Sequence, residues 1–226
     1  MRPYVVVNVA MSADGKISTR ERRQVKISGV QDFERVDRLK ADSDAVMVGI
    51  GTVLADDPSL TVKSEERRTD RLHRGADEHP VRIVVDSTAR ISLEASILHK
   101  GAGKRIVTVS RRADPKKITA LQKYATVIIA GEDEVDLSIM MDKLGEMGIG
   151  RVMVEGGGTL IAGLIRAGLV NEIYTFIGNM IIGGKDSPTF VDGEGFLQES
   201  GFCRLTLIDT LKIESGVLLH WNVEKP

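Results

Sequence analysis

The sequence predicts an α/β fold: a mostly parallel central sheet flanked by helices, with a C-terminal antiparallel hairpin. Three observations carry this. Short runs such as 4–10 (YVVVNVA), Ala45–Gly49 (AVMVG) and Val81–Val85 (VRIVV) are apolar almost throughout, as strands covered on both faces must be. They alternate with segments of helical periodicity, the pattern that builds parallel sheets. The last two strand-like runs, Leu205–Ile213 and Gly216–Val223, have no helix between them, and Glu214-Ser215-Gly216 reads as a tight turn.

Taken in order, 4–10 is β-branched and forms the first buried strand, interrupted only by Asn8. Ser28 followed by Gln31 reads as a capping box opening a helix over 29–42, with Phe33, Val36 and Leu39 at helical spacing. Ala45–Gly49 breaks at Gly49 and Gly51, before a short helix over 52–55 that Asp57-Pro58 stops. Segment 64–79 is almost wholly charged and reads as a solvated excursion. Strands Val81–Val85, Arg105–Val109 and Thr126–Ile129 end in Asp86-Ser87, Ser110-Arg111-Arg112 and Gly131. Asp114-Pro115 opens a helix to about 124, because proline favours the first helical position. Leu137, Met140, Met141 and Leu144 mark a helix face directed at the core. Arg151–Val154 then runs into Glu155-Gly156-Gly157-Gly158-Thr159, followed by a helix over 159–167 with Gly168 as C-cap and a strand over 172–177. No repeat or linker divides the chain, so one domain over 1–226 is expected.

Composition narrows the functions. The chain has 226 residues, 42% of them hydrophobic, enough for a well-packed core. Lys and Arg number 31 against 32 Asp and Glu, a net charge of −1, without the basic excess of a nucleic-acid binder. Cys203 is the one cysteine, so no intrachain disulfide or multi-thiolate zinc site forms, which fits a reducing compartment. His73, His79, His99 and His220 have no ligand spacing, so no metal is expected. No serine sits in a G-x-S-x-G elbow, which disfavours hydrolysis. The N-terminus lacks a signal-peptide pattern and no window approaches eighteen apolar residues, so a cytoplasmic protein without a membrane partner is expected.

Ligands of open α/β sheets bind beyond the carboxyl ends of the strands. Here those ends carry Gly49-Ile50-Gly51-Thr52, Asp86-Ser87, Ser110-Arg111-Arg112, Gly131 and the Glu155–Thr159 turn. That turn is not a Rossmann fingerprint, since Ile161 stands where the third glycine belongs. Nor is it a P-loop, since Leu164-Ile165 replaces Lys-Ser/Thr. Helix-start amides are unsatisfied and carry the positive end of the helix dipole, and glycines let a pyrophosphate approach them. The alternative is that the glycines only let a helix pack closely on the sheet. Glu155 favours the first reading, because a carboxylate ending an apolar strand is costly to bury without a partner or a task. Ser110-Arg111-Arg112 is either a 2′-phosphate site or a solvated basic turn.

MSADGKIS (11–18), GIGTVLADDPSLTVK (49–63), RIVVDSTARI (82–91) and VEGGGTLIAGLI (154–165) together resemble the riboflavin-biosynthesis reductases acting on 2,5-diamino-6-ribosylamino-4(3H)-pyrimidinone 5′-phosphate. The resemblance spans nearly the whole chain. It implies a dihydrofolate-reductase-like fold, NADPH as cofactor, and reduction of a ribosyl group on a phosphorylated pyrimidine to ribityl. It places Thr52, Asp56, Ser87, Gly156, Gly157, Gly158 and Thr159 at the cofactor. Ser110, Arg111 and Gly131 at neighbouring strand ends complete that expected set. Glu155, Leu60 and Lys63 would face the substrate, and Lys16 the reacting carbon. Lys40 stands where the bifunctional relatives carry arginine, so a point charge replaces a fork at a phosphate. Glu155 would hold the substrate and help open its ring, with Lys16 and Asp56 orienting groups and handling protons. The deaminase half of those relatives is absent, because its zinc signature needs more than one cysteine. Two alternatives remain: a pteridine- or folate-type reductase on the same fold, and a non-catalytic NADPH-sensing module. The apolar tail, with Phe202, Leu205, Leu207, Ile208, Leu218, Leu219 and Trp221, exceeds what a solvent-facing hairpin needs and predicts a homodimer interface.

Overall fold

Seven strands run parallel: β1 (Tyr4–Ser12), β2 (Ala45–Gly49), β3 (Val81–Val85), β4 (Arg105–Val109), β5 (Thr126–Ile129), β6 (Arg151–Val154) and β7 (Glu172–Gly178). The antiparallel hairpin β8 (Leu205–Ile213) and β9 (Gly216–Val223) joins at β7, giving one sheet in the order β5-β4-β3-β2-β6-β1-β7-β9-β8. The computed structural model describes residues 1–22 and 25–224. β6 returns late in the chain to lie between β1 and β2, so the loops that end these three strands share one edge.

Helices cover both faces: α1 (Val30–Ala41), α2 (Ile50–Asp56), α3 (Glu65–His73), α4 (Ser96–His99), α5 (Pro115–Leu121), α6 (Leu137–Glu146) and α7 (Gly158–Arg166). On one face Met140, Met141 and Leu144 of α6 and Ile161 and Leu164 of α7 pack on Val5, Met47, Ile83, Val152 and Val154. On the other, Val36 and Leu39 of α1 join α2, α4 and α5 over Val46, Val48, Val84, Val107 and Met153. Each large side chain so buried contributes about 1.5–3 kcal/mol. The methionines are core residues, as their spacing predicted.

Three local expectations need correction. The capping box does not form: α1 starts at Val30 with Gly29 as N-cap and no side-chain cap. Instead Gln31 N donates to Glu214 Oε1 (3.3 Å), which reaches in from the β8–β9 turn. α2 begins at Ile50, two residues before the expected start, and runs through Asp56. α7 ends at Arg166 with Ala167 as C-cap, and Gly168 follows with φ 64.

Segment 64–79 is solvated over most of its length, as expected, but it is a helix tied inward and not a loose excursion. Its charges form α3, capped by Ser64, whose hydroxyl accepts from Arg67 N. Arg71 is only 5% exposed, and its guanidinium donates to the carbonyls of Ala41 (2.6 Å), Ser43 (2.9 Å) and Asp77 (2.9 Å). It thereby satisfies a carbonyl at the end of α1 that the helix leaves open. Asp37 of α1 accepts from the N–H groups of Lys63 (2.6 Å) and Ser64 (3.0 Å) and from Arg67 (2.9 Å). Burial works to raise the Asp37 pKa, but these donors prevail and hold it below the ordinary carboxylate range. A charged stretch can thus be tied inward when carbonyls and a carboxylate receive its donors.

Candidate active site

The loops leaving β2 and β6 are joined at the backbone. Glu155 N donates to Met47 O (3.0 Å) and Gly49 N to Gly156 O (3.2 Å). Thr52, in the first turn of α2, stands beside Gly156, where an added Cβ would lie 3.6 Å from its Oγ1. Gly157 is the N-cap of α7 with φ 92 and ψ 94, and no side chain caps the helix. That backbone is strained for any residue bearing a Cβ. The amides of Gly158 and Thr159 therefore start a nine-residue helix without intrahelical acceptors.

Gly158 answers a different demand. A Cβ there would lie 2.6 Å from the Thr189 carbonyl oxygen and 2.8 Å from Asp192 Oδ2. The loop after β7 rests on it, with Asp192 N donating to Gly158 O (3.2 Å). Close packing thus explains the third glycine, backbone shape explains the second, and Thr159 stays exposed at the helix start. An uncapped helix start flanked by a hydroxyl fits a diphosphate.

Glu155 has a partner. Its Oε1 lies 3.0 Å from Lys40 Nζ at the end of α1, and the two side chains are 15% and 14% exposed. Nearby, Lys63 Nζ donates to Thr61 Oγ1 (2.9 Å) and Ser59 Oγ (3.0 Å). Partial burial first, then the charges of Lys40 and Lys100, hold the Lys63 pKa below its ordinary value against the pull of Asp37 and Glu155. The ammonium groups of Lys40 and Lys63 and two hydroxyls thus lie near one carboxylate, with the charge of Lys100 felt from the next loop, an arrangement that receives an anion. Lys100 carries no motif and was not found by sequence. Its loop is held by fully buried Arg82, whose guanidinium donates to the carbonyls of Lys100 and Ala102. Leu60 is 4% exposed with φ 53 and packs into the core. Its left-handed backbone shapes the bend carrying Ser59, Thr61 and Lys63, and its side chain offers little surface to a ligand.

Lys16 follows the β1 turn, and its Nζ donates to Ser187 O (3.0 Å) in the loop that rests on Gly158. Asp14 fastens the same loop, accepting from Ile182 N (3.0 Å), Gly183 N (2.7 Å) and the Ser12 hydroxyl (2.6 Å). The Ser12 hydroxyl first, then those amides, hold its pKa down to about 2. Asp56 ends α2 with its side chain largely exposed, and the partial desolvation it meets there raises its pKa. No hydrogen bond or ion pair joins Lys16, Asp56 and Glu155 to one another among the described residues.

Ser87, Ser110, Arg111 and Gly131 lie together at the ends of β3, β4 and β5. Ser110 is fully buried, with its hydroxyl 2.8 Å from Ser87 O and 3.0 Å from Asp133 O. The expectation that Ser110 touches the cofactor is therefore corrected: its hydroxyl is spent fastening these loops. Ser87 Oγ accepts from Val135 N (3.0 Å). Arg111 is exposed and pairs with Glu132 (2.8 Å), while its N–H donates to Gly131 O (3.0 Å). Among the described residues no cluster of three or more His, Cys, Asp or Glu forms a metal site, and no helix is long and apolar enough to cross a membrane.

Comparison with known proteins places the chain in a family. Residues 3–219 match the family described as the RibD C-terminal domain. A 2,5-diamino-6-ribosylamino-4(3H)-pyrimidinone 5′-phosphate reductase of Archaeoglobus fulgidus is 52% identical over 222 residues, covering 98% of this chain and 100% of the relative. One of the same description from Methanothermobacter thermautotrophicus is 41% identical, covering 99% of this chain and 100% of the relative. Among solved structures, a pyrimidine reductase-like protein of Corynebacterium diphtheriae superposes with a TM-score of 0.85 at 17% identity, covering 99% of this chain and 93% of that one. This likeness shows a shared fold, the dihydrofolate-reductase-like architecture expected from the sequence.

Proposed function

The chain belongs to the RibD C-terminal domain family, and from that membership we propose that it reduces the ribosyl group of 2,5-diamino-6-ribosylamino-4(3H)-pyrimidinone 5′-phosphate to ribityl, with NADPH, in the cytoplasm and as one domain. The observation that carries this is the Lys40–Glu155 pair, set between the open start of α7 and the Lys63 hydroxyl cluster. A carboxylate for the sugar thus lies between two anion-receiving surfaces, one for a dinucleotide and one for a 5′-phosphate.

The nicotinamide supplies the hydride when bound. The chain's residues do the rest. The amides of Gly158 and Thr159 receive the diphosphate, beside Gly156, Gly157 and Thr52. Arg111, near Ser87 and Gly131, meets the 2′-phosphate that distinguishes NADPH from NADH. Lys63, with Lys40, Ser59 and Thr61, holds the 5′-phosphate. A ring-closed ribosylamine has no acceptor carbon, so it must open to an imine. Glu155 holds the sugar and takes the amine proton as the C1′–ring oxygen bond breaks, and the ring oxygen leaves protonated. C1′ of that imine is the atom that would take the hydride, and the nitrogen would take a proton. Asp56 and Lys16 supply and orient these protons.

Lys63→Ala tests the phosphate assignment. The expected result is a rise in KM of roughly ten- to a hundredfold, the loss of a charge-assisted contact worth about 1.5–3 kcal/mol, with NADPH affinity unchanged. Loss of nicotinamide absorbance follows the reaction. An unchanged KM would favour a pteridine-type reductase, which needs no phosphate site.

We also propose that a second copy covers the sheet edge. β8 is exposed along its length except at Ile213, and Phe202, Leu205, Leu207, Ile208, Leu211 and Val217 line this region. Leu218 is buried, and Trp221 Nε1 donates inward to Thr175 Oγ1 (3.1 Å), so these two serve the fold and not the interface. Sedimentation at micromolar concentration should give a dimer, and Leu207→Glu a monomer; a monomeric parent protein removes the idea.

A further inference from the structure

Strand register sets a polar row across the sheet. Val154 of β6 pairs with Val7 of β1, the last pair of that register, and Glu155 and Asn8 are the residues that follow each of them. Asn8 pairs with Tyr174 of β7, and Tyr174 with His220 of β9. Directly opposed residues share a face, and strands lie about 4.8 Å apart, so the row from Glu155 to His220 spans about 14 Å. α1 lies over this row: Lys40 reaches Glu155, while Arg35 reaches Asn8 and Tyr174.

Asn8 is the residue that interrupts the first apolar strand, and a polar group there is costly unless it is bonded. It is 7% exposed, and its Oδ1 accepts from Arg35 Nη2 at 2.6 Å. Arg35 is itself held: its Nε donates to Asp32 Oδ1 (2.8 Å), and its guanidinium lies 5.6 Å from the centre of the Tyr174 ring. That ring stacks on His220 at 4.2 Å. Arginine can only donate, so it must meet the oxygen end of the amide, which fixes an orientation that the shape of an asparagine leaves open. Arg35 lies on the Tyr174 side of Asn8. With Oδ1 held by Arg35, the NH2 end faces away from the guanidinium. It donates to no described residue, yet it is not among the polar atoms sealed without a partner.

We infer that Asn8 is a substrate-contact residue, donating from its NH2 group to a hydroxyl oxygen of the sugar beside the hydroxyl held by Glu155, and that Arg35 is the positioning residue that sets the amide's orientation. The inference rests on the reductase reading and deepens it. A free carboxylate edge next to a free NH2 is an acceptor beside a donor. A vicinal diol matches it: one hydroxyl donates to Glu155 and the oxygen of the next accepts from Asn8. The chemical class recognised is a polyhydroxylated chain, not a flat heterocycle.

Asn8→Asp keeps the shape and the Arg35 partner but removes the donor and sets a second carboxylate beside Glu155. The expected result is a fall in kcat/KM of ten- to a hundredfold or more, with NADPH affinity and Tm close to the parent protein. Arg35→Lys should raise KM severalfold and lower kcat less, because Asn8 is loosened and not lost. Substrates lacking the 2′- or the 3′-hydroxyl provide an arm that survives a folding failure of Asn8→Asp. One of them should lose activity with the parent protein, and it should lose nothing further with Asn8→Ala. A parent protein that reduces the substrate, with Asn8→Asp within twofold of it or with Asn8→Ala still discriminating the deoxy analogues, overturns the inference. A parent protein that reduces no substrate overturns the reductase reading instead.

Discussion

Glu155→Gln is expected to lower turnover by about two to three orders of magnitude, the scale of losing a positioned proton acceptor, and to leave NADPH affinity within about twofold. The amide keeps the volume and one oxygen but loses the charge. The nitrogen of the substrate then has nowhere to lose its proton as the ring opens. Lys40, 3.0 Å away and 14% exposed, loses its counterion and becomes a part-buried ammonium beside the substrate. The diphosphate groups proposed for the cofactor are main-chain amides of Gly158 and Thr159, which the substitution does not reach. Initial rates and a separate NADPH titration divide the two effects. Equal losses in both would mean that Glu155 serves the dinucleotide and not the sugar.

Strands were the most legible part of the chain. Ala45–Gly49, Val81–Val85, Arg105–Val109, Thr126–Ile129, Arg151–Val154, Leu205–Ile213 and Gly216–Val223 stand at the limits read from sequence. Their β-branched or alternating runs stop abruptly at glycine or polar residues. Helix starts were less legible where the cap comes from elsewhere, as with Glu214 at α1, because a local window holds no trace of a partner on a distant turn. The same limit applies to charge: Arg71 looks solvated in sequence and is buried because the carbonyls of Ala41 and Ser43 at the end of α1, and of Asp77 beyond α3, meet it.

The site divides in the same way. The glycine turn is contiguous and was readable. The Lys40–Glu155 pair exists only after β6 inserts between β1 and β2. Ser110 was misread because a hydroxyl before two arginines looks like a ligand group, whereas two carbonyls enclose it. Asn8 was visible as a break in an apolar run, but its neighbours come from the register and from α1.

Gly157→Ala and Gly158→Ala should separate two causes that the glycine run combines. At residue 157, φ 92 and ψ 94 cost a Cβ-bearing residue about 1–3 kcal/mol, and the chain relieves this by rotating the peptide that carries the Gly158 amide. Gly157→Ala should therefore raise the NADPH Kd at least about tenfold, or 1.4 kcal/mol, and lower Tm, while the 187–192 loop keeps its place. At residue 158 the obstacle is contact, since the new methyl would lie 2.6 Å from the Thr189 carbonyl and 2.8 Å from Asp192 Oδ2. Gly158→Ala must push that loop away, and with it Ser187 O, the anchor of Lys16 Nζ. Turnover should then fall further than NADPH affinity, because the amide stays while Lys16 is released. Isothermal titration with NADPH, read beside kcat, distinguishes the two. Parental NADPH affinity in Gly157→Ala would show that the amides at the start of α7 do not hold the diphosphate, and that the glycines there serve packing alone.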